Sequence, residues 1–373
     1  MTSSKQYILD IETDGLLESC TRIHSLSCID LSDGELYSFS SVTPSNYSGT
    51  ILQGIELVQG HTVIGHNMQA FDVPVIQKLY PWFQPAGVID TMIMAQMMFS
   101  DIKARDFAEY RKHGSKKQYD LPPNLIGRHS LKAWGYRIGA YKGDFSNEET
   151  DWSTWTPEMQ TYCDQDVRVT HELYKRLLKV DCSQKAIDIE HGFAKIIKRQ
   201  EAHGFLFNVE AAYTLYSELS GERNTLKQEL IENFGEMYLR DGKGTETPSK
   251  SLTYKDALRP SRTAGASLTK IKRVQFNPTS RQHISLFLKR KYNWSPTELT
   301  EKGAAKIDET ILGDMVYPEA KDLSRLFLLE KRIGQIAEGP QAWLKTYNQD
   351  DGRIHGRVHP MGAVTSRCTH SHP

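Results

Sequence analysis

The sequence has no run of roughly 18 apolar residues, so it offers no membrane-spanning helix. Its first ten residues, Met1–Asp10, lack the apolar centre of a secretory signal, and the expected location is the cytoplasm. Cysteine is scarce: positions 20, 28, 163, 182 and 368 form an odd set with no Cys-x-x-Cys pair, which argues against a disulfide framework or a thiolate zinc site. No segment repeats, and Asp241-Gly-Lys-Gly-Thr245 lacks the spacing of a P-loop. Net charge is missing as well, with 46 Lys+Arg against 46 Asp+Glu.

What is present is a globular composition, 39% hydrophobic and 10% aromatic. A chain of 373 residues exceeds the size, about 250–300 residues, at which single cores stop growing, so two domains are expected. The charge is also uneven along it. Residues 1–185 hold 18 Lys+Arg and 23 Asp+Glu, a balance of −5; residues 186–373 hold 28 and 23, a balance of +5. An acidic half suits metal cations and a basic half suits a polyanion, although ordinary solvated surfaces give the same totals.

The first half alternates strand and helix signals. Gln6–Glu12 reads as a strand, Arg22–Leu31 and Glu35–Ser40 as its antiparallel neighbours, and Thr62–His66 as a short strand after a helical Ile51–Val58. Val73–Tyr80 and Thr91–Phe99 read as helices. Thr156 is the expected N-cap of a long helix with Pro157 in its first position, along which Met159, Tyr162, Asp166, Thr170, Leu173 and Leu177 recur. From Ile187 the pattern becomes helical: Ile189, Phe193 and Ile197 recur until His203-Gly204, and a second helix spans Val209–Phe234. Residues 240–273, with nine Lys+Arg and three acids, read as a basic, loosely ordered insertion. Helices are expected at Ser280–Tyr292 and Glu319–Tyr347, then a hairpin over Gly352–Thr369 turned at Pro360-Met-Gly362.

Three acidic segments carry the chemistry. Asp10-Ile-Glu12 puts two carboxylates on one face of a strand, within about 7 Å of each other, and a buried like-charged pair calls for a cation. Asp72 follows a strand and opens a helix; alone it reads as an N-cap, but Asn67 and Phe71 nearby can hold a nucleotide by hydrogen bond and stacking. Tyr162 and Asp166 lie four apart on one helical face, with Asp164 directed elsewhere.

This ordered set resembles the DEDD exonuclease superfamily, in the subgroup with Tyr four residues before the last Asp. The resemblance implies an α/β fold, a ribonuclease H-like mixed β-sheet with flanking helices. It implies Asp10, Glu12, Asp72 and Asp166 as ligands of two Mg2+ (or Mn2+) ions and Tyr162 as the residue that orients water. Thr13 and Leu16 match positions that touch the terminal nucleotide. Hard oxygen ligands select such ions, and two of them about 4 Å apart serve both ends of an in-line phosphoryl displacement. In the absence of metal the acids repel, so at least one is expected to keep a proton near neutrality.

His129–Arg137, Asp188–His191 with Gly204–Asn208, Phe276–Ser280, Lys331–Gln335 and Gly362–His370 look like the phage replicative branch of the family A DNA polymerases, similar to those of short-tailed coliphages. The implied organisation is a 3′ to 5′ exonuclease at 1–185, a mostly α-helical thumb-like region at 186–350, and the start of a palm at 351–373 with a C-terminal β-hairpin. Polymerase motifs would lie beyond Pro373, so polymerisation by this chain alone is not expected. The implied partners are single-stranded and primer-template DNA, with Lys331, Arg332, Gln335 and Arg367 gripping backbone, inside an infected bacterial cell. A separate chain with palm and fingers is a further expected partner. The 240–273 insertion occupies the position where the best-known relative binds thioredoxin but is shorter, so a thioredoxin-like processivity factor is not carried over. Ser366 stands where relatives tend to have Gly. The basic stretch Lys103, Arg105, Arg111, Lys112, Lys116 and Lys117 reads either as a guide for a single strand or as a solvated loop. Two alternatives to the proofreading role are a DNA-binding assembly half of a split polymerase and an RNA-trimming exonuclease.

Overall fold

Ile8 and Leu9 are both buried, as a strand covered on two faces requires, and they belong to different cores. The computed structural model describes residues 4–42, 47–113, 121–140, 151–253, 255 and 261–372, with backbone alone at 113, 240, 242–244 and 270. In it the first strand, β1 (Gln6–Thr13), lies inside a six-stranded sheet. β2 (Ile23–Asp30) and β3 (Leu36–Ser40) follow antiparallel, and β4 (Gly49–Thr50) pairs parallel with β3. After α1 (Ile51–Val58), capped by Thr50, β5 (Thr62–Gly65) returns parallel to β1 on its other side. α2 (Asp72–Leu79) leads to β6 (Gly87–Asp90), parallel to β5, which completes the order β4-β3-β2-β1-β5-β6.

Among the described residues, the α-helices that follow are α3 (Thr91–Met98), α4 (Ile102–His113), α5 (Leu131–Ile138), α6 (Pro157–Leu177) and α7 (Gln184–His203). Leu9, Ile11, Leu26, Phe39, Ile55 and Val63 form the core on one face of the sheet. On the other face Ile8, Ile29 and Ile64 pack with Trp134, Val167 and Leu173 of α5 and α6. The period-two pleat therefore sends Ile8, Asp10 and Glu12 toward α6. Thr156 caps α6 through the amide of Met159, at 3.2 Å, with Pro157 in the first turn. This mixed α/β unit runs to Gly204 and includes His355–His372.

The second unit, Phe205–Ile354, is mostly helical. It contains β7 (Phe205–Leu206), α8 (Val209–Phe234), β8 (Glu236–Glu246), β9 (Leu268–Gln275), α9 (Arg281–Tyr292), α10 (Glu309–Gly313), α11 (Pro318–Ile333), α12 (Trp343–Thr346), β10 (Tyr347–Asn348) and β11 (Arg353–Ile354). Leu230, Phe276, Phe287, Leu323 and Leu326 form its core. The last strands, β12 (Arg357–His359) and β13 (Thr369–Ser371), pair antiparallel.

Five sequence expectations are corrected. The 240–273 segment is not loosely ordered over its described part: β8 and β9 form an antiparallel ribbon, joined by ion pairs such as Arg273–Glu236 and Lys272–Asp241. Opposed charges across strands stabilise a ribbon whose apolar content is low. The Glu319–Tyr347 helix is broken, because Gly334–Glu338 is a π turn and Gly339-Pro340 cannot continue a helix. The Gly352–Thr369 hairpin is divided between two sheets, Arg353–Ile354 pairing with β7 and β10, and Arg357–His359 with β13. Lys103, Arg105, Arg111 and Lys112 lie on α4 rather than in a loop, with Arg105 on Asp101 at 2.7 Å; Lys116 and Lys117 fall outside the described residues. In α7 the buried face is His191, Ala194 and Ile197, while Ile189 faces solvent.

Candidate active site

The parallel strands β1, β5 and β6 end at one edge of the sheet, where Gly65 pairs with Asp90 and the acidic half of β1 emerges. Strand ends of this kind are where open α/β sheets place their ligands. Asp10 and Glu12 are half-buried there, and their carboxylate oxygens lie within 4.8 Å of each other and of the Cys163 sulfur on α6. The Cys163 thiol donates to the Asp10 carbonyl at 3.4 Å. Burial, then the charges of Asp10 and Glu12, hold that thiol well above its ordinary range, so it stays protonated and leaves two hard carboxylates as the donors.

Asp72 occupies the first turn of α2 rather than its N-cap position, which Phe71 takes without a side-chain bond. It is buried, and the backbone amide of Ile11, between the two β1 acids, favours its charged form. Burial, reinforced by the charges of Asp90 and Asp166, pushes its carboxyl up to about 7. A proton near neutrality was the expected consequence of crowded acids. Asp166 is buried on α6, one turn beyond Tyr162 and on the face that carries Cys163 and Val167. Asp164 points away and accepts from Ser27 Oγ at 2.6 Å and Ser38 Oγ at 2.7 Å.

Thr13 is buried beyond a bulge at the end of β1, its hydroxyl donating to the Gly15 carbonyl at 2.8 Å. Leu16 is 73% exposed, an apolar side chain left in water. Phe71 packs against the Leu9 core, and Asn67 adopts a left-handed φ of 64° in the loop before α2. The other expected contact residues lie elsewhere. Lys331, on α11, pairs with Glu309 at 3.7 Å; Arg332 donates to Gln335, in the π turn, at 3.1 Å. Arg367 lies between β12 and β13, after Ser366, whose φ of 59° is one that glycine adopts without cost.

Sequence reasoning missed Cys163, Asp90 and His191. Asp90 is buried, caps α3 through the Met92 amide at 2.9 Å, and sits beside Asp72 in charge. An Asp placed directly before the helical run at Thr91 was the local signal that could have singled it out.

No family model matches the chain. It is 32% identical to the DNA-directed DNA polymerase of Escherichia phage T7 over 446 residues, covering 98% of this chain and 62% of that protein. The DNA-directed DNA polymerase of Enterobacteria phage T3 matches equally, at 32% over 98% of the chain and 62% of its own length. The chain thus spans less than two thirds of the curated relatives it matches. Because the match is longer than the 373-residue chain, the relatives carry additional residues within it.

Proposed function

We propose that this chain, a relative of the phage DNA polymerases, is a metal-dependent 3′ to 5′ exonuclease that removes deoxynucleotides from DNA ends and releases 5′-monophosphates. The observation that carries the reading is the pairing of Asp10 and Glu12 at one strand edge together with a buried Asp72 whose carboxyl is pushed up by burial and then by the charges of Asp90 and Asp166. Such a cluster is costly by itself and is relieved by divalent cations. The sheet order, with a long helix across the acidic end of β1, supports a ribonuclease H-like arrangement.

The donors fit hard ions: carboxylate oxygens from Asp10, Glu12, Asp72 and Asp166, with the one nearby sulfur held as a thiol. When bound, two Mg2+ (or Mn2+) ions supply charge neutralisation and Lewis acidity at the scissile phosphate. Tyr162, one turn before Asp166, aligns the attacking water by a hydrogen bond from its phenol. Leu16 and Phe71 flank the terminal base by apolar contact, and Asn67 and Thr13 set its register. The helical unit serves as a thumb-like DNA grip, in which Lys331, Arg332 and Gln335 contact the backbone and make binding salt-dependent. Arg367 adds a further contact, and residues 351–373 begin a palm.

The test uses the full chain with a 5′-labelled single-stranded oligonucleotide. The expected result is a ladder shortened one nucleotide at a time, with 5′-mononucleotides released in Mg2+ and none in chelator. Equal turnover in chelator, or internal cuts without mononucleotides, would overturn the assignment. Equal rates on RNA and DNA of one sequence would point to RNA trimming instead.

A further inference from the structure

Asp90 and His191 touch none of the atoms that would react, yet they hold the loop that leads into Asp72 at the start of α2. Asp90 lies at the end of β6, 1% exposed. Its Oδ1 accepts from the amides of Asn67 at 3.0 Å and Met92 at 2.9 Å, and its Oδ2 accepts from the amide of Gln69 at 3.0 Å. Two of those donors lie in the six-residue connection between β5 and α2, where Asn67 takes its left-handed conformation. The same turn closes on itself, with the Asn67 carbonyl accepting from Ala70 and Phe71 at 3.0 and 3.2 Å.

The other side of Asp90 is held as well. Its backbone N–H donates to His191 Nε2 at 2.8 Å, and His191 Nδ1 donates to the Ile187 carbonyl at 2.8 Å. These two bonds define a neutral imidazole with its proton on Nδ1. α7 thereby fixes the end of β6, and β6 fixes the loop before Asp72. A left-handed non-glycine residue persists only where its surroundings over-determine it, and three amides on one buried carboxylate do so here.

We infer that Asp90 is a positioning residue for Asp72, with His191 as its support, and that this pair sets how well Asp72 meets a divalent ion. The inference rests on the exonuclease reading. A carboxylate is needed at position 90 because it only accepts; a carboxamide turns an NH2 group toward at least one of the three N–H donors. Partners that orient ligands act on metal affinity and turnover more than on substrate binding.

The test compares the parental chain with Asp90→Asn, His191→Leu and His191→Gln, whose side-chain oxygen can still accept from the Asp90 amide. In Asp90→Asn, kcat on single-stranded DNA should fall about 10- to 100-fold, with a raised Mg2+ requirement and unchanged KM. His191→Leu should fall in the same direction and His191→Gln should recover. Amides 67 and 69 should exchange hydrogen faster in Asp90→Asn. Parental kcat and Mg2+ dependence in Asp90→Asn, even with a lowered melting temperature, would overturn the inference. If Asp90→Asn does not fold, the two His191 variants decide: equal kcat in both overturns it. If the parental chain has no nuclease activity, the exonuclease reading fails separately, and unchanged exchange at 67 and 69 would still overturn the clamp.

Discussion

In the helical unit, Arg325 holds Glu222 through bonds of 2.6 and 2.7 Å, Arg223 meets Glu338 at 2.8 Å and Lys306 meets Glu298 at 2.7 Å, each pair partly in water. In the sheet unit, Asp72, Asp90 and Asp166 are 4%, 1% and 6% exposed, and each adds to the electrostatic load of its neighbours. The same unit shows that a buried acid can be neutralised when that is all it has to do: Asp106 is held in a bidentate grip by Arg137, at 3.0 and 2.9 Å. None of the described salt bridges reaches Asp72 or Asp90. Paired charge at a surface belongs to the scaffold and contributes little, whereas Asp72, buried beside like charges, is a cost that folding alone does not require.

Substitutions can break or sharpen that contrast. The largest effect is expected from Asp10→Ala or Asp166→Ala, which should lower kcat/KM for DNA a thousandfold or more, about 4 kcal/mol of transition-state stabilisation, while circular dichroism and melting show a folded chain. Parental kinetics in either variant would remove the distinction between the two units.

A smaller effect concerns pH. The Asp72 carboxyl is raised from 3.8 to about 7, so between those values the folded chain keeps a proton that the unfolded chain has lost. Stability of the metal-free protein therefore falls as pH rises through that window, and the loss is complete above it. Asp72→Asn, neutral throughout, should flatten this part of the profile and stabilise the metal-free chain at pH 8, on the order of 1–3 kcal/mol in denaturant titrations. Mg2+ should stabilise the parental chain and not the variant. An unchanged profile in Asp72→Asn would show that Asp72 does not carry the strain.

The smallest effect is expected in the helical unit. Arg325→Ala should cost about 0.2–1 kcal/mol in the same titrations and lessen further at high salt, since both partners are nearly half exposed. A loss of several kcal/mol there would mean that the surface network carries the fold.

Local signals made some elements legible from residue order. Thr156 with Pro157 marked the start of α6, Gly204 the end of α7, and the apolar spacing of Val209–Phe234 gave α8 its limits. The β8–β9 ribbon was illegible because its strands gain stability from partners far along the chain, not from an apolar alternation within either. The π turn after Ile333 was hidden because Gly334–Glu338 keeps a helical composition up to Gly339.

The acids themselves followed from the amino-acid order. A period of two puts Asp10 and Glu12 on one strand face, and a spacing of four puts Tyr162 and Asp166 on one helical face, because backbone geometry alone dictates both. Which acids share an edge, and what braces them, was decided only when the chain closed. Asp72 feels the charges of Asp90 and Asp166, Cys163 meets Asp10, and His191 reaches Asp90 across 101 residues of sequence. Burial and like-charge crowding are properties of that enclosure, so which acid carries the raised carboxyl, and that Asp90 would bind the amides of Asn67 and Gln69, were set by the closed chain and not by a local pattern.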